Sequence, residues 1–114
     1  MKQRILVMNG QKLLQTEQGG DWATSKVEKA GLIKPGIYSL YLASKADKSK
    51  SYDGVVIHAD RDVLYQQFGR NVVKHDLKDF ERTPELGAIL KITYDGSRAL
   101  SLPSSVKLGQ RYTR

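Results

Sequence analysis

Between Tyr52 and Gly96 the chain breaks into apolar runs no longer than a β-strand, each ended by Gly, Asn or Asp. The runs are Tyr52 to Asp60, Val63 to Arg70, Val72 to His75 and Leu86 to Gly96, a spacing that suits a small barrel or curled sheet. The rest of the sequence is shorter in its runs, more polar or less patterned. At 114 residues the chain has the size of one domain with a modest core. Its hydrophobic content of 39% and mean hydropathy of −0.48 are low, yet Val, Ile, Leu and Tyr recur with period two, which excludes a disordered chain. With no cysteine, neither disulfides nor a thiolate metal site can hold the fold, so packing must. The expected fold is mostly β (α+β): a small SH3-like barrel or curled antiparallel sheet with one or two short helices.

Arg4 to Met8, Asn9-Gly10 and Gln11 to Thr16 read as a β-hairpin, because Asn-Gly tolerates the two positive φ angles of a type I′ turn. Gly19-Gly20 interrupts the strand. Asp21 is a plausible N-cap for a short helix over Trp22 to Ala30, with Gly31 as its stop and Trp22 as a core anchor at its start. Lys34-Pro35-Gly36 is a turn into a half-buried strand, Ile37 to Leu42. Ser44 to Ser51, small and polar with three lysines, reads as an exposed loop.

Strands follow over Gly54 to Ala59, Val63 to Gln67 and Asn71 to His75, with Asp60 to Asp62 as a tight turn and Gly69 as a bulge or bend. Asp76 to Phe80 is one helical turn with Leu77 and Phe80 on its core side. Ala88 to Tyr94, a turn at Asp95-Gly96 and Ser97 to Leu102 close the pattern. The organisation is thus one domain, 1–114: an N-terminal hairpin, helix and strand (1–44), a β-rich core (52–102) and a basic tail (103–114) in which Val106, Leu108 and Tyr112 offer docking groups.

The formal net charge is +7 and the pI about 9.7. Such a balance speaks of partners, and nucleic acid comes first, an acidic protein surface second. A membrane partner is not expected. No run approaches the roughly 20 apolar residues of a membrane span, and Met1 to Met8 is too short for a signal-peptide core. A soluble cytoplasmic protein is the expectation, its oligomeric state left open.

His58 and His75 beside Asp60, Asp62 and Asp76 invite a metal or acid–base reading. No HxH or HxxxH spacing exists and no third nitrogen ligand is available, so His58 reads as a partly buried structural histidine. No nucleophile triad, P-loop or dinucleotide fingerprint is present, and neither enzyme activity nor a cofactor is expected. Gln66, Gln67, Gly69 and Arg70 are a different cluster. Gln67 serves either a backbone group at a sheet edge or a recognition surface shared with Arg70 and Lys74. The candidate contacts for nucleic acid or a partner are Lys45, Lys48, Lys50, Gln67, Arg70, Lys74, Arg98, Lys107 and Arg111, cations that would position a phosphate backbone without reading its sequence.

The series Gly54, Val56, His58, Asp60, Val63, Gln67, Gly69-Arg70, Val73, His75, Leu77, Pro84, Gly87, Ile92, Tyr94 and Gly96 resembles the KfrB domain over residues 52–100, leaving residues 1–45 uncovered. That resemblance implies an accessory protein of a conjugative plasmid, serving maintenance, segregation or transfer beside DNA-binding partners, and brings no catalytic residues. Two readings stay open: a nucleic-acid-associated protein, or an interaction module or inhibitor that binds a plasmid or host protein, such as a segregation or transfer protein, without touching DNA.

Overall fold

The structure, a computed structural model, describes residues 2–103. Its strands are β1 (Gln3–Met8), β2 (Gln11–Gln18), β3 (Asp21–Lys29), β4 (Gly36–Ser39), β5 (Ser44–Lys45), β6 (Tyr52–Ala59), β7 (Val63–Phe68), β8 (Asn71–Asp76), β9 (Ile89–Asp95) and β10 (Arg98–Pro103). They form a four-stranded sheet in the order β3-β2-β1-β4 and a six-stranded sheet in the order β10-β9-β6-β7-β8-β5. The mostly-β expectation holds. The barrel does not: β10 and β5 end the second sheet without pairing to each other. Among the described residues no α-helix forms, only 3-10 turns at Leu40–Leu42 and Leu77–Asp79.

The first hairpin turns on Asn9 (φ 51°) and Gly10 (φ 75°), the two left-handed residues a type I′ turn needs. Gly19 (φ 60°) and Gly20 (φ 89°) then make a second two-residue turn, and this overturns the expected helix over Trp22 to Ala30. The double glycine sends the chain straight back along β2, where Asp21 pairs with Gln18 and Lys29 with Gln11. Ser25 is an extra residue opposite the Leu14–Gln15 step, and its hydroxyl donates to the Leu14 carbonyl at 3.3 Å. That bulge shifts the alternation by one residue halfway along the strand, which hides its period of two. Asp21 is therefore no N-cap, and Trp22 is half-buried on the sheet's outer face rather than a core anchor.

Other boundaries move less. The expected strand Ile37 to Leu42 ends at Ser39 and continues as a 3-10 turn, while Ser44–Lys45 of the expected loop pairs in parallel with β8. Gly69 is not a bulge: with Arg70 it forms the turn joining β7 and β8, the glycine at φ 65° and the arginine at negative φ, as in a type II′ hairpin. The last turn sits one residue later than expected, on Gly96-Ser97. The docking groups Val106, Leu108 and Tyr112 lie outside the described residues.

A core shared by both sheets contains Ile5, Val7 and Tyr38 from the first, Leu40 from the 3-10 turn after β4, and Val55 and Ile57 from the second. A second core lies inside the curl of the six-stranded sheet: Val56, Leu64, Leu90, Ile92 and Ala99, with Leu77 and Phe80 packed against it. β6 feeds both. Val56 pairs with Gln66 and His58 with Tyr65, so Ile57 is an extra residue, and Val55, Val56, Ile57 and His58 are all buried in succession. Where the chain leaves the first sheet, Gly31 (φ 62°) crosses Gly87 (φ 82°) backbone to backbone. The Leu32 amide donates to the Gly87 carbonyl at 3.2 Å, and the Gly87 amide donates to the Val56 carbonyl at 2.8 Å.

One glycine of β6 fixes how closely its neighbour can approach. A Cβ on Gly54 would lie 1.7 Å from the Gln67 carbonyl oxygen, a backbone atom that cannot swing aside. Gly54→Ala should therefore lower unfolding stability by about 3 kcal/mol or more, at the upper end for overpacking, measured by urea denaturation. A loss below about 1 kcal/mol would show that β6 and β7 separate freely at this point.

Candidate nucleic-acid or partner interface

The glutamine pair in β7 divides by the strand's alternation. Gln66 points into the curl and is fully buried, while Gln67 points to the opposite face and is half-buried. The Gln66 amide nitrogen lies 3.1 Å from the Tyr52 carbonyl, 3.2 Å from that of Gly54 and 3.0 Å from that of Leu90, so only its NH2 group can face them. Its oxygen must then accept from His75 Nε2 at 3.0 Å. This fixes the tautomer: His75 Nδ1 carries no proton and accepts from the Tyr94 hydroxyl at 2.6 Å. The chain Tyr94–His75–Gln66 thus spans the curl from β9 to β7 with every polar atom of the imidazole bonded. Tyr52 and Phe80 present edges to the imidazole, and Tyr94 stacks on it. Burial holds the imidazole at a pKa of about 4 despite Asp76, and pushes the Tyr94 hydroxyl up to about 12, helped by Asp79 and Asp76. His75 and Gln66 are structural.

Gln67 and Arg70 remain as candidate contacts, and the structure brings them together at the mouth of the cleft between the sheets. Gln67 lines a cavity of about 350 Å³ with Lys34, Asp53 and Gly69, and another of about 240 Å³ with Ile37, Leu42, Arg70 and Asn71. Its amide donates to the Gly69 carbonyl at 3.3 Å, so part of its capacity is already used by the hairpin turn. The second cavity lies beside β4, which pairs with β1 on one side and, among the described residues, with no strand on the other.

The cations sort into two groups. Lys48 is tied to Asp79 at 3.0 Å and lies over the Tyr94 ring, and Arg98 is tied to Glu81 at 3.0 Å. Both are partly neutralised. Lys45, Lys50, Arg70 and Lys74 are exposed and make no ion pair among the described residues. Lys45 and Lys74 are in direct register between β5 and β8, and Tyr65 is the next residue along that row. Lys107 and Arg111 lie outside the described residues.

His58 is buried as expected, stacked on Tyr65, with Nδ1 unbonded among the described residues. Lys12, a residue that no local pattern marks, faces the same side: it is 3% exposed and ion-paired to Glu28 at 3.4 Å. Burial lowers the Lys12 ammonium, which Glu28 opposes. Burial works to raise Glu28, but Lys12 and Lys26 outweigh it and hold the carboxyl below its usual range. Burial, then the Lys12 charge, takes His58 to a pKa of about 4. Among the described residues no group of three His, Cys, Asp or Glu side chains is placed to hold a metal ion.

Both histidines are neutral in the fold with pKa values of about 4, against 6.5 when unfolded. As pH falls the unfolded chain takes up protons first. The stability these groups confer is complete above pH 6.5 and is lost as pH drops from there to about 4. The melting temperature should fall steeply across that window, and His58→Gln should flatten the slope. A melting temperature constant down to pH 4 would refute the neutral, buried assignment.

The KfrB domain model matches residues 51–103, that is β6 to β10 with the histidine network inside them. Over 95 residues the chain is 37% identical to Protein TraB of Escherichia coli, an alignment covering 80% of this chain and 64% of TraB. The chain thus spans slightly less than two thirds of that relative. The alignment is longer than the domain match and the tail after it together, so it reaches into the first sheet. Residues 51–103, the curled sheet closed internally by Gln66, His75 and Tyr94, therefore match the KfrB domain, the family that residues 52–100 resemble in sequence.

Proposed function

We propose that this is a small, non-enzymatic accessory protein of a conjugative plasmid or related mobile element. It works in the cytoplasm in maintenance, segregation or transfer, and holds nucleic acid through its phosphate backbone. The KfrB match and the similarity to Protein TraB support the plasmid setting. The observation that carries the nucleic-acid reading is the Lys45–Lys74 pair. Like charges side by side on adjacent strands repel, and among the described residues no carboxylate is ion-paired to either. An anionic ligand relieves that repulsion. Lys50 and Arg70 add cations that make no ion pair among the described residues. Among the described residues no helix is long and apolar enough to cross a membrane. The unpaired edge of β4 beside Arg70 and Asn71 favours a second reading, an interaction module that accepts an extended segment of a plasmid or host protein.

Anisotropy of a labelled random duplex and a labelled single strand at about 50 and 200 mM salt separates the two. Binding that is tight at low salt and collapses at the higher salt is expected. Lys45→Glu with Lys74→Glu should weaken it for every sequence and reduce the salt slope by about 2. Flat anisotropy at both salts would sink the nucleic-acid reading and leave the protein-partner one.

A further inference from the structure

The outer face of the first sheet violates the usual arrangement of an antiparallel sheet with one side in water. Such sheets alternate apolar inward and polar outward, whereas strands covered on both sides read as continuous apolar runs. β1 contains such a run, Ile5-Leu6-Val7-Met8, yet only Ile5 and Val7 enter the core. The pairing register shows what Leu6 does instead. Ile37 of β4, Leu6 of β1, Leu13 of β2 and Val27 of β3 are directly opposite one another and form one apolar row across all four strands. The end positions, Ile37 and Val27, are 58% and 55% exposed, and Met8 is exposed on the same face.

Along one side of the row, further along the strands, lies an aromatic and cationic strip. The Arg4 guanidinium sits 4.2 Å over the Trp22 ring and donates through Nε to Gln15, Lys2 lies over Tyr41, and the two rings are 6.2 Å apart. Trp, Tyr, Arg and Met around an aliphatic centre are the side chains enriched where proteins meet. Among the described residues the charges on this face are Lys2, Arg4 and Lys29 against one carboxylate, Glu17. A second copy related by a two-fold axis would bring these cations together, on a chain already at +7. Nucleic acid does not suit the aliphatic row. We infer that this face docks an amphipathic helix of a protein partner, its apolar stripe on the Ile37–Leu6–Leu13–Val27 row and its flanking carboxylates toward Lys2, Arg4 and Lys29. Three inter-strand gaps of about 4.8 Å make the row about 14 Å long, the length of about ten helical residues laid along it. The surface is separate from the Lys45–Lys74 pair, so it stands whether or not nucleic acid binds.

The test is a titration of the full 15N-labelled chain with a synthetic amphipathic peptide of about five helical turns. The peptide carries leucines on one face and glutamates beside them, and a lysine-for-glutamate version serves as control. Shifts should concentrate at Leu6, Met8, Leu13, Val27, Ile37 and the Trp22 indole. Ile37→Ser with Val27→Ser should weaken binding about tenfold or more with the unfolding midpoint unchanged, because both side chains are mostly exposed. Three results would overturn the inference: shifts absent or located elsewhere, equal binding of the lysine peptide, or the same shifts on raising protein concentration without peptide. The last would assign the face to a second copy.

Discussion

The side-chain amide of Gln66 is the contact on which the curled sheet depends. Its two amide hydrogens are shared among three carbonyls on β6 and β9, and its oxygen accepts from the imidazole of β8, which in turn accepts from the hydroxyl of β9. A buried amide of this kind is expensive to leave unbonded, at roughly 1–3 kcal/mol for each orphaned group, so the network forms fully or the curl opens. That requirement gives a partly open sheet a defined curvature without closing it into a barrel. It also explains why two polar residues, Gln66 and His75, are among the most buried side chains of a small domain.

Two irregularities allow this sheet to share a core with another. The extra residue at Ile57 turns β6 so that consecutive side chains serve opposite cores, and Gly54 lets β7 approach within a distance no side chain would permit. The crossing of Gly31 and Gly87 then couples the loop after β3 to β6 through two backbone hydrogen bonds. The first sheet is thus attached through backbone as well as through Ile5, Val7 and Tyr38.

The same features set what could be read in advance. The Asn9-Gly10 hairpin and the strands of β6 to β9 were legible because a turn dipeptide, or a short apolar run ended by Gly, Asn or Asp, carries a local signal. β3 was not legible: the bulge at Ser25 resets its alternation, and Asp21 followed by a sparse apolar spacing imitates a capped helix. The Gln66–Gly69–Arg70 cluster stood out correctly as unusual, but its parts do different work. Only the register of β7 against its neighbours shows which glutamine faces the curl. Lys12 and Glu28, sixteen positions apart, had no local signal at all, because their meeting depends on the pairing of β2 with β3.

The cations also needed the third dimension before they could be weighed. Lys48 and Arg98 look equivalent to Lys45 and Lys74 in the sequence, yet the first two already face carboxylates and gain less from a phosphate. The unneutralised pair belongs to the second sheet and the exposed apolar row to the first, on a face turned away from the shared core. Phosphate contacts are weak singly and lose strength with salt, whereas an apolar row gains from salt or is indifferent to it. On the proposed reading, a nucleic acid and a protein partner would be held on different sheets by contacts of different physical kinds, so that neither surface competes with the other. The similarity to Protein TraB, which extends from the KfrB-matching sheet into the first one, fits a chain in which both sheets are used.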